Sequence, residues 1–409
     1  MNTNYKVYLT ALLAFGFSLL AGACGGENSD KQAAKQTEVT QGQFKFGTLE
    51  LPILDGSLCG APFYVAKEKG FFAEEGIDAK LIAADGETRK LGLSKGTYAL
   101  TNSDFQFFQA IENGVDIKIV DGIHIGCIKV LVKKGSPYKT AADLKGKKIA
   151  VDEIGGTPHQ AASLWLSLGG VSTKPEDNQV QFLPYADGNL ALEALEQGQI
   201  DAAAIWDPLA SAYEKSGKAD AIMDVAKDPV FDGRYCCFIY VSAKVLKEEP
   251  AKIAALLRAI HKAEAWIAEH PEETVDIIAE GKYSEIEDKP LAVELIKSYV
   301  YTSLEQRKAL GRDVKGDLRY FSEQLKNIGY LTKDPDQFVK DLYQEVDLNQ
   351  SARHLLSPRK RESFLNVRRM HEFIFNPDGV SLGVPCKSAF PAGCRGSQAE
   401  ILYIWQYRG

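Results

Sequence analysis

From Phe44 onward the chain alternates between short apolar runs and amphipathic stretches. Phe44-Lys45-Phe46-Gly47-Thr48-Leu49 has the period of two of a strand. Residues 62–72 follow with Phe63, Ala66 and Lys67 at helical spacing and Gly70 as a stop. Residues 77–82 read as the next strand, and a strand, helix, strand unit implies a parallel pair. The same alternation predicts strands at 98–100, 117–120, 127–132, 148–151, 180–183, 202–205 and 236–241. Between them lie helical stretches at 87–94, 104–113, 157–168 and 190–196. Repetition on this scale describes an α/β protein with helices on both faces of its sheets. Longer helices close the pattern at 250–269, 274–279, 291–300, 317–328 and 336–345; the first shows Ile253, Leu256, Leu257, Ile260 and Ala263 on one face.

Both ends depart from this pattern. Residues 7–23 are apolar or small throughout. These 17 residues fall short of the ~20 that span a bilayer comfortably. They end in Ala21-Gly22-Ala23-Cys24, small residues before a cysteine as in a bacterial lipobox, so residues 1–24 read as a lipoprotein signal with Cys24 lipidated. Residues 25–43 hold Val39 as their only branched aliphatic residue and read as a flexible tether. The segment 350–409 has nine Lys or Arg against four Asp or Glu, five Gly and four Pro, with no sustained period. It reads as an atypical, disordered basic tail outside the fold.

Length then bounds the architecture. A chain of 409 residues suits two lobes of ~100–200 residues each. With 45% hydrophobic and 25% charged residues it can bury a sizeable core. The net charge is −7, and −12 once the +5 of the tail is set aside, which argues against nucleic acid as a partner. Of seven cysteines, Cys59, Cys127, Cys236 and Cys237 fall inside the patterned region; their spacing matches no zinc signature and leaves pairing open. His124 with Cys127 suggests a metal pair, but no third or fourth ligand is apparent, so neither metal nor cofactor is expected.

Several ordered motifs carry a resemblance. They are Cys59-Gly60-Ala61-Pro62-Phe63-Tyr64-Val65-Ala66-Lys67-Glu68-Lys69-Gly70-Phe71-Phe72 before Glu75-Gly76-Ile77-Asp78, then Asp143-Leu144-Lys145-Gly146-Lys147-Lys148-Ile149-Ala150-Val151, and Gly198-Gln199-Ile200-Asp201-Ala202-Ala203 before Trp206-Asp207-Pro208. Together, over residues 44–348, they resemble the nitrate, sulfonate, taurine and thiamine-precursor binding proteins of ABC importers. The resemblance implies a two-lobed periplasmic-binding-protein fold of type II, each lobe a mostly parallel sheet flanked by helices, with a ligand cleft between them. It places lobe one at 44–134 and 242–349, lobe two at 135–241, and the crossings near 132–139 and 235–242. It also implies a monomer on the outer face of a membrane, delivering a small organic or anionic solute to an importer permease.

Ligands of open α/β sheets sit at the carboxyl ends of strands. Candidate binding residues are therefore Cys59 and Gly60, Thr101, Asn102 and Ser103, Cys127, Gly156, Thr157 and His159, Trp206 and Asp207, and Tyr235 and Cys236. Helix starts there offer free N–H groups to an anion or carbonyl. Ser103 and Thr157 can equally serve as helix caps, Gly156 as part of a turn, and Trp206 and Asp207 as packing. The thiamine-pyrimidine synthase of the same family is the competing reading, because Tyr235-Cys236-Cys237-Phe238 resembles part of its cysteine cluster. Thr101-Asn102-Ser103-Asp104-Phe105 lacks that enzyme's lysine and histidine, and no Ser/His/Asp order or P-loop stands out. A lipoprotein presenting ligand to a sensor is a third reading.

Overall fold

The structure is a computed structural model that describes residues 44–54, 56–231 and 233–350. The readings of Cys24, of the tether and of residues 351–409 lie outside the described residues. No helix among them is long and apolar enough to cross a membrane.

Among the described residues ten strands form three sheets, which fall into two groups. β1 (Thr48–Ile53) pairs in parallel with β2 (Asp78–Ala83), register Leu51 on Leu81. β1 lies beside β3 (Leu100–Ser103), where the Thr101 hydroxyl donates to the Pro52 carbonyl at 2.5 Å. β3 and β4 (Ile117–His124) flank β10 (Cys237–Ser242), which runs antiparallel to both. The second group has the order β7-β6-β8-β5-β9. There β6 (Lys148–Val151) pairs in parallel with β7 (Gln181–Pro184) and β8 (Ala202–Trp206). β5 (Ile128–Lys133) runs antiparallel to β8 and β9 (Ala219–Asp224). In each lobe one antiparallel strand is thus set among strands of the opposite sense, and that strand has crossed from the other lobe.

The crossing strands move both expected boundaries. β5 pairs only within the second sheet, so lobe one gives way at 125–127, earlier than the expected 132–139. β10 pairs only within the first, so 237–242 belongs to lobe one and not to lobe two. β5 is buried up to its last residue, Lys133, and β10 throughout, and a largely apolar run carries no mark of the sheet it joins. β9 was not anticipated: Ala219-Asp220-Ala221-Ile222-Met223-Asp224 is a half-buried edge strand without clean alternation.

β5 shows how the second lobe is filled. Ile128, Val130 and Val132 enter the large apolar core, while Leu131 enters a smaller one with Ala150, Leu192 and Ile205, as a period of two requires. In lobe one the helix Pro250–Glu269 buries Ile253, Leu256, Leu257, Ile260 and Ala263 against the helix Ala61–Glu68. Each large aliphatic side chain in such a seam contributes roughly 1.5–3 kcal/mol.

Beside this seam lies a buried charge network. Arg307 contacts Asp121 of β4 at 2.8 Å and also Glu264, while His261 meets Asp121 at 2.5 Å. Glu264 is fully buried, and burial raises its carboxyl to about 7. Arg307→Met should cost ~3–5 kcal/mol, because it leaves two buried carboxylates without their main partner. Urea unfolding of the full chain reads this; a loss below ~1 kcal/mol would show that the network contributes little to the fold.

Candidate functional site

The carboxyl end of β3 faces the start of the helix Thr157–Leu168 in the other lobe. Asn102, Ser103 and Asp104 are all buried there, and Asp104 caps a 3-10 turn, Phe105–Phe107, by accepting from the Gln106 N–H at 2.9 Å. Burial pushes the Asp104 carboxyl up to about 6, against hydrogen bonds from Thr157 and Gln106 and the nearby Arg89 charge. Arg89 is itself buried and donates to the Asn102 carbonyl at 2.5 Å. The Asn102 side-chain oxygen and the Ser103 hydroxyl have no partner.

Across the interface, Gly155 has φ +89, a conformation that favours glycine. Gly156 is tightly enclosed: a Cβ there would meet Glu153 Cγ at 2.7 Å and Asp152 Oδ1 at 2.8 Å. The helix opens with Thr157 and Pro158 and has no side-chain cap, so its first N–H groups keep the positive end of the helix dipole. Asp104, from the opposite lobe, lies where an anion would be drawn. Asp152 sits nearby, its carboxyl also raised by burial, and accepts from the Trp206 indole N–H at 3.2 Å.

His159 completes this group. Its Nδ1 accepts from the Gly155 N–H at 2.8 Å and lies 2.8 Å from the Tyr330 hydroxyl, while its ring stands edge-on to Phe182 at 4.3 Å. Burial lowers its pKa to about 4, so the ring is neutral at physiological pH. Tyr330, which follows the helix Val314–Asn327, thereby ties the end of lobe one to lobe two.

Cys59, Cys127 and Cys236 form a second group at the crossings. The Cys59 N–H donates to the Ser57 hydroxyl at 3.1 Å, and Gly60 leaves room for Tyr64, whose hydroxyl a Cβ would meet at 2.4 Å. Cys127 Sγ lies 3.8 Å from Cys236 Sγ, and Cys236 Sγ lies 3.9 Å from Cys237 Sγ. Cys59, Cys127, Cys236 and Cys237 are all buried, and none of the four is in a disulfide. His124 stacks on Tyr299 with ring centroids 4.8 Å apart.

The remaining expected residues sit elsewhere. Thr101 is held by Pro52 of β1. Asp207 accepts from both the N–H (3.0 Å) and the hydroxyl (2.6 Å) of Ser211, so its near oxygen is engaged by the first turn of the helix Leu209–Lys215. It lines a separate cavity of about 400 Å³ with Lys129, Asp224 and Leu291. The Tyr235 ring fills the space over Gly122, where a Cβ would lie 2.4 Å from it, and packs near Arg307 and Arg312. The sequence reading did not single out Asp104, Arg89, Asp152 or Tyr330. Asp104 lay inside a quoted motif, but nothing local marks Tyr330, which reaches the site from the far end of the chain.

Residues 60–274, more than half of the 409, match the family described as NMT1/THI5 like. The chain belongs to that family. A protein of Brucella abortus named as a binding protein is 29% identical over 287 residues, covering 68% of this chain and 84% of its own. A Bacillus subtilis protein named as an aliphatic sulfonates-binding protein is 27% identical over 299 residues, covering 70% and 82%. Among solved structures, the alkanesulfonate-binding protein SsuA of Xanthomonas axonopodis bound to MOPS aligns with TM-score 0.55 at 18% identity, over 70% of this chain and 95% of that one. The periplasmic nitrate-binding protein NrtA of Synechocystis aligns with TM-score 0.58 at 17% identity, over 77% and 90%. The fold is that of periplasmic binding proteins, two-lobed as expected. The named relatives are binding proteins and not enzymes, which goes against the synthase reading.

Proposed function

We propose that the chain captures a small organic solute with nitrogen-borne hydrogen-bond donors between its lobes and delivers it, as a monomer, to the permease of an ABC importer. The observation that carries this reading is the pair of carboxylates, buried Asp104 and half-buried Asp152, at the start of the helix Thr157–Leu168. A sulfonate or nitrate placed there would meet two like charges in a low-dielectric site. An amine, amidine or aminopyrimidine would supply the donors those carboxylates accept, and Trp206, Phe182 and Tyr330 would border a planar ring. The sulfonate reading is favoured by the name of the Bacillus relative and remains the alternative outcome.

Thermal unfolding with 4-aminopyrimidine, ethanesulfonate and nitrate, together with mass spectrometry of any copurifying solute, tests this. A nitrogen heterocycle should stabilise the protein by ~2.7 kcal/mol at a hundredfold excess over its dissociation constant. Its affinity should fall as pH drops through about 6, because protonated Asp104 loses the carboxylate that accepts the solute's N–H groups. Asp104→Asn should remove that pH dependence and weaken binding by roughly ten- to a hundredfold. Stabilisation by ethanesulfonate with no response to the heterocycle would contradict the substrate class.

Lipid on Cys24 is proposed as the anchor that keeps the protein beside its permease. Cys24→Ser should move the protein from the membrane fraction to the soluble extract; retention equal to the parent chain would remove the anchor.

A further inference from the structure

The thiol group at the lobe crossings has a composition that solute capture does not require. Cys59, His124, Cys127 and Cys237 each offer one ligand atom, all four residues are buried, and these atoms lie within 4.8 Å of one another. They come from separate segments: the turn after β1, the end of β4, the first crossing and the first residue of β10. We propose that these residues form a closed site for one thiophilic d10 metal ion of the zinc class, bound where the two crossing segments meet.

The donor set fits that ion. Three thiolates and an imidazole are a common tetrahedral complement for zinc. Metal–sulfur bonds of ~2.3 Å and a metal–nitrogen bond of ~2.0 Å place ligand atoms about 3.5–3.8 Å apart, so the group closes with shifts of about 1 Å. The histidine is prepared for the role. Its Nδ1 lies 3.1 Å from the Ile125 carbonyl, which selects the tautomer that donates there and leaves Nε2 as a buried atom with no partner. Cys127 is held at φ +93, in the left-handed region that a residue with a Cβ rarely adopts, directly after Gly126 at φ +87. A conformation of that kind costs of order 1–3 kcal/mol and persists where the surroundings hold it for a purpose. Cys236 is outside the set. Its thiol donates to the Gly126 carbonyl at 2.6 Å, so it braces the turn that presents Cys127.

The inference does not depend on the identity of the solute. A bound ion would join the two crossings to lobe one and fix the point about which the lobes move.

The test uses the full chain, purified with reductant, freed of metal with a chelator and titrated anaerobically with cobalt(II). One equivalent should produce thiolate-to-cobalt charge transfer and the intense visible bands of a tetrahedral site, and zinc should bleach both. Cys127→Ser with Cys237→Ser should abolish the spectrum. His124→Gln, which keeps all three thiols, should weaken cobalt affinity at least tenfold, and Cys236→Ser should keep the spectrum. Circular dichroism of each variant shows whether it is folded, and the His124 variant decides the question if the double cysteine variant is not. Absence of a tetrahedral spectrum in folded parent protein would overturn the proposal. So would disulfides among these cysteines by alkylation and mass spectrometry, or equal loss in the Cys236 variant. Metal uptake without response to any solute would leave this site standing while the proposed function falls.

Discussion

The structure depends on a double exchange of strands. β5 leaves lobe one to become an antiparallel member of the second sheet, and β10 returns to become one of the first. Neither sheet is complete without a strand delivered from the other lobe, so the lobes can hinge but cannot part. The two passages are bonded to each other where the Cys236 N–H donates to the His124 carbonyl at 3.1 Å; the first is also held by the Asp207 N–H, which donates to the Cys127 carbonyl at 2.9 Å, and by its own Ile125 N–H, which donates to the Tyr299 carbonyl at 3.1 Å. There is little room around them. Gly122 lies under the Tyr235 ring, and a Cβ on Gly126 would come within 3.1 Å of Ala226. Close packing of this kind confines movement to a few backbone torsions at the crossings.

The position of the polar site follows from that constraint. With the crossings at one side, the carboxyl end of β3 and the start of the helix Thr157–Leu168 face each other across the interface. Asp104 therefore meets Thr157, and Tyr330 meets His159, across the interface, in addition to the partners Asp104 and His159 have in their own lobes. Polar atoms left without partners there, such as Asn102 Oδ1 and Ser103 Oγ, carry a desolvation cost that a solute with matching groups would relieve. A ligand touching both lobes favours the closed arrangement through those differential contacts.

Much of the fold was legible because its elements have strong local patterns. The strands expected at 148–151, 180–183 and 202–205, found at 148–151, 181–184 and 202–206, were apparent as apolar runs between turn signals, and the apolar face of Pro250–Glu269 as helical spacing. The lobe boundaries were not, since β5 and β10 read alike whichever sheet they enter. The site was legible in part. Asn102, Ser103, Gly156, Thr157 and His159 lie at strand ends or helix starts, where a carboxyl-edge rule finds them. Asp207 met the same rule, yet Ser211 engages its near oxygen. Tyr330 and the assembly of Cys59, His124, Cys127 and Cys237 depend on long-range contacts that no local pattern encodes. Only two of those four were paired in the sequence reading, because their partners are more than sixty residues before and more than a hundred after them.

The central claim is that solute closes two lobes that turn about a shared pair of crossing segments. Small-angle X-ray scattering of the full chain, first freed of copurified solute by partial unfolding and refolding and then recharged with it, tests this most directly. The account predicts a smaller radius of gyration and a narrower pair-distance distribution once solute is bound, saturating with the calorimetric titration. Scattering that stays unchanged while calorimetry shows full occupancy would contradict it.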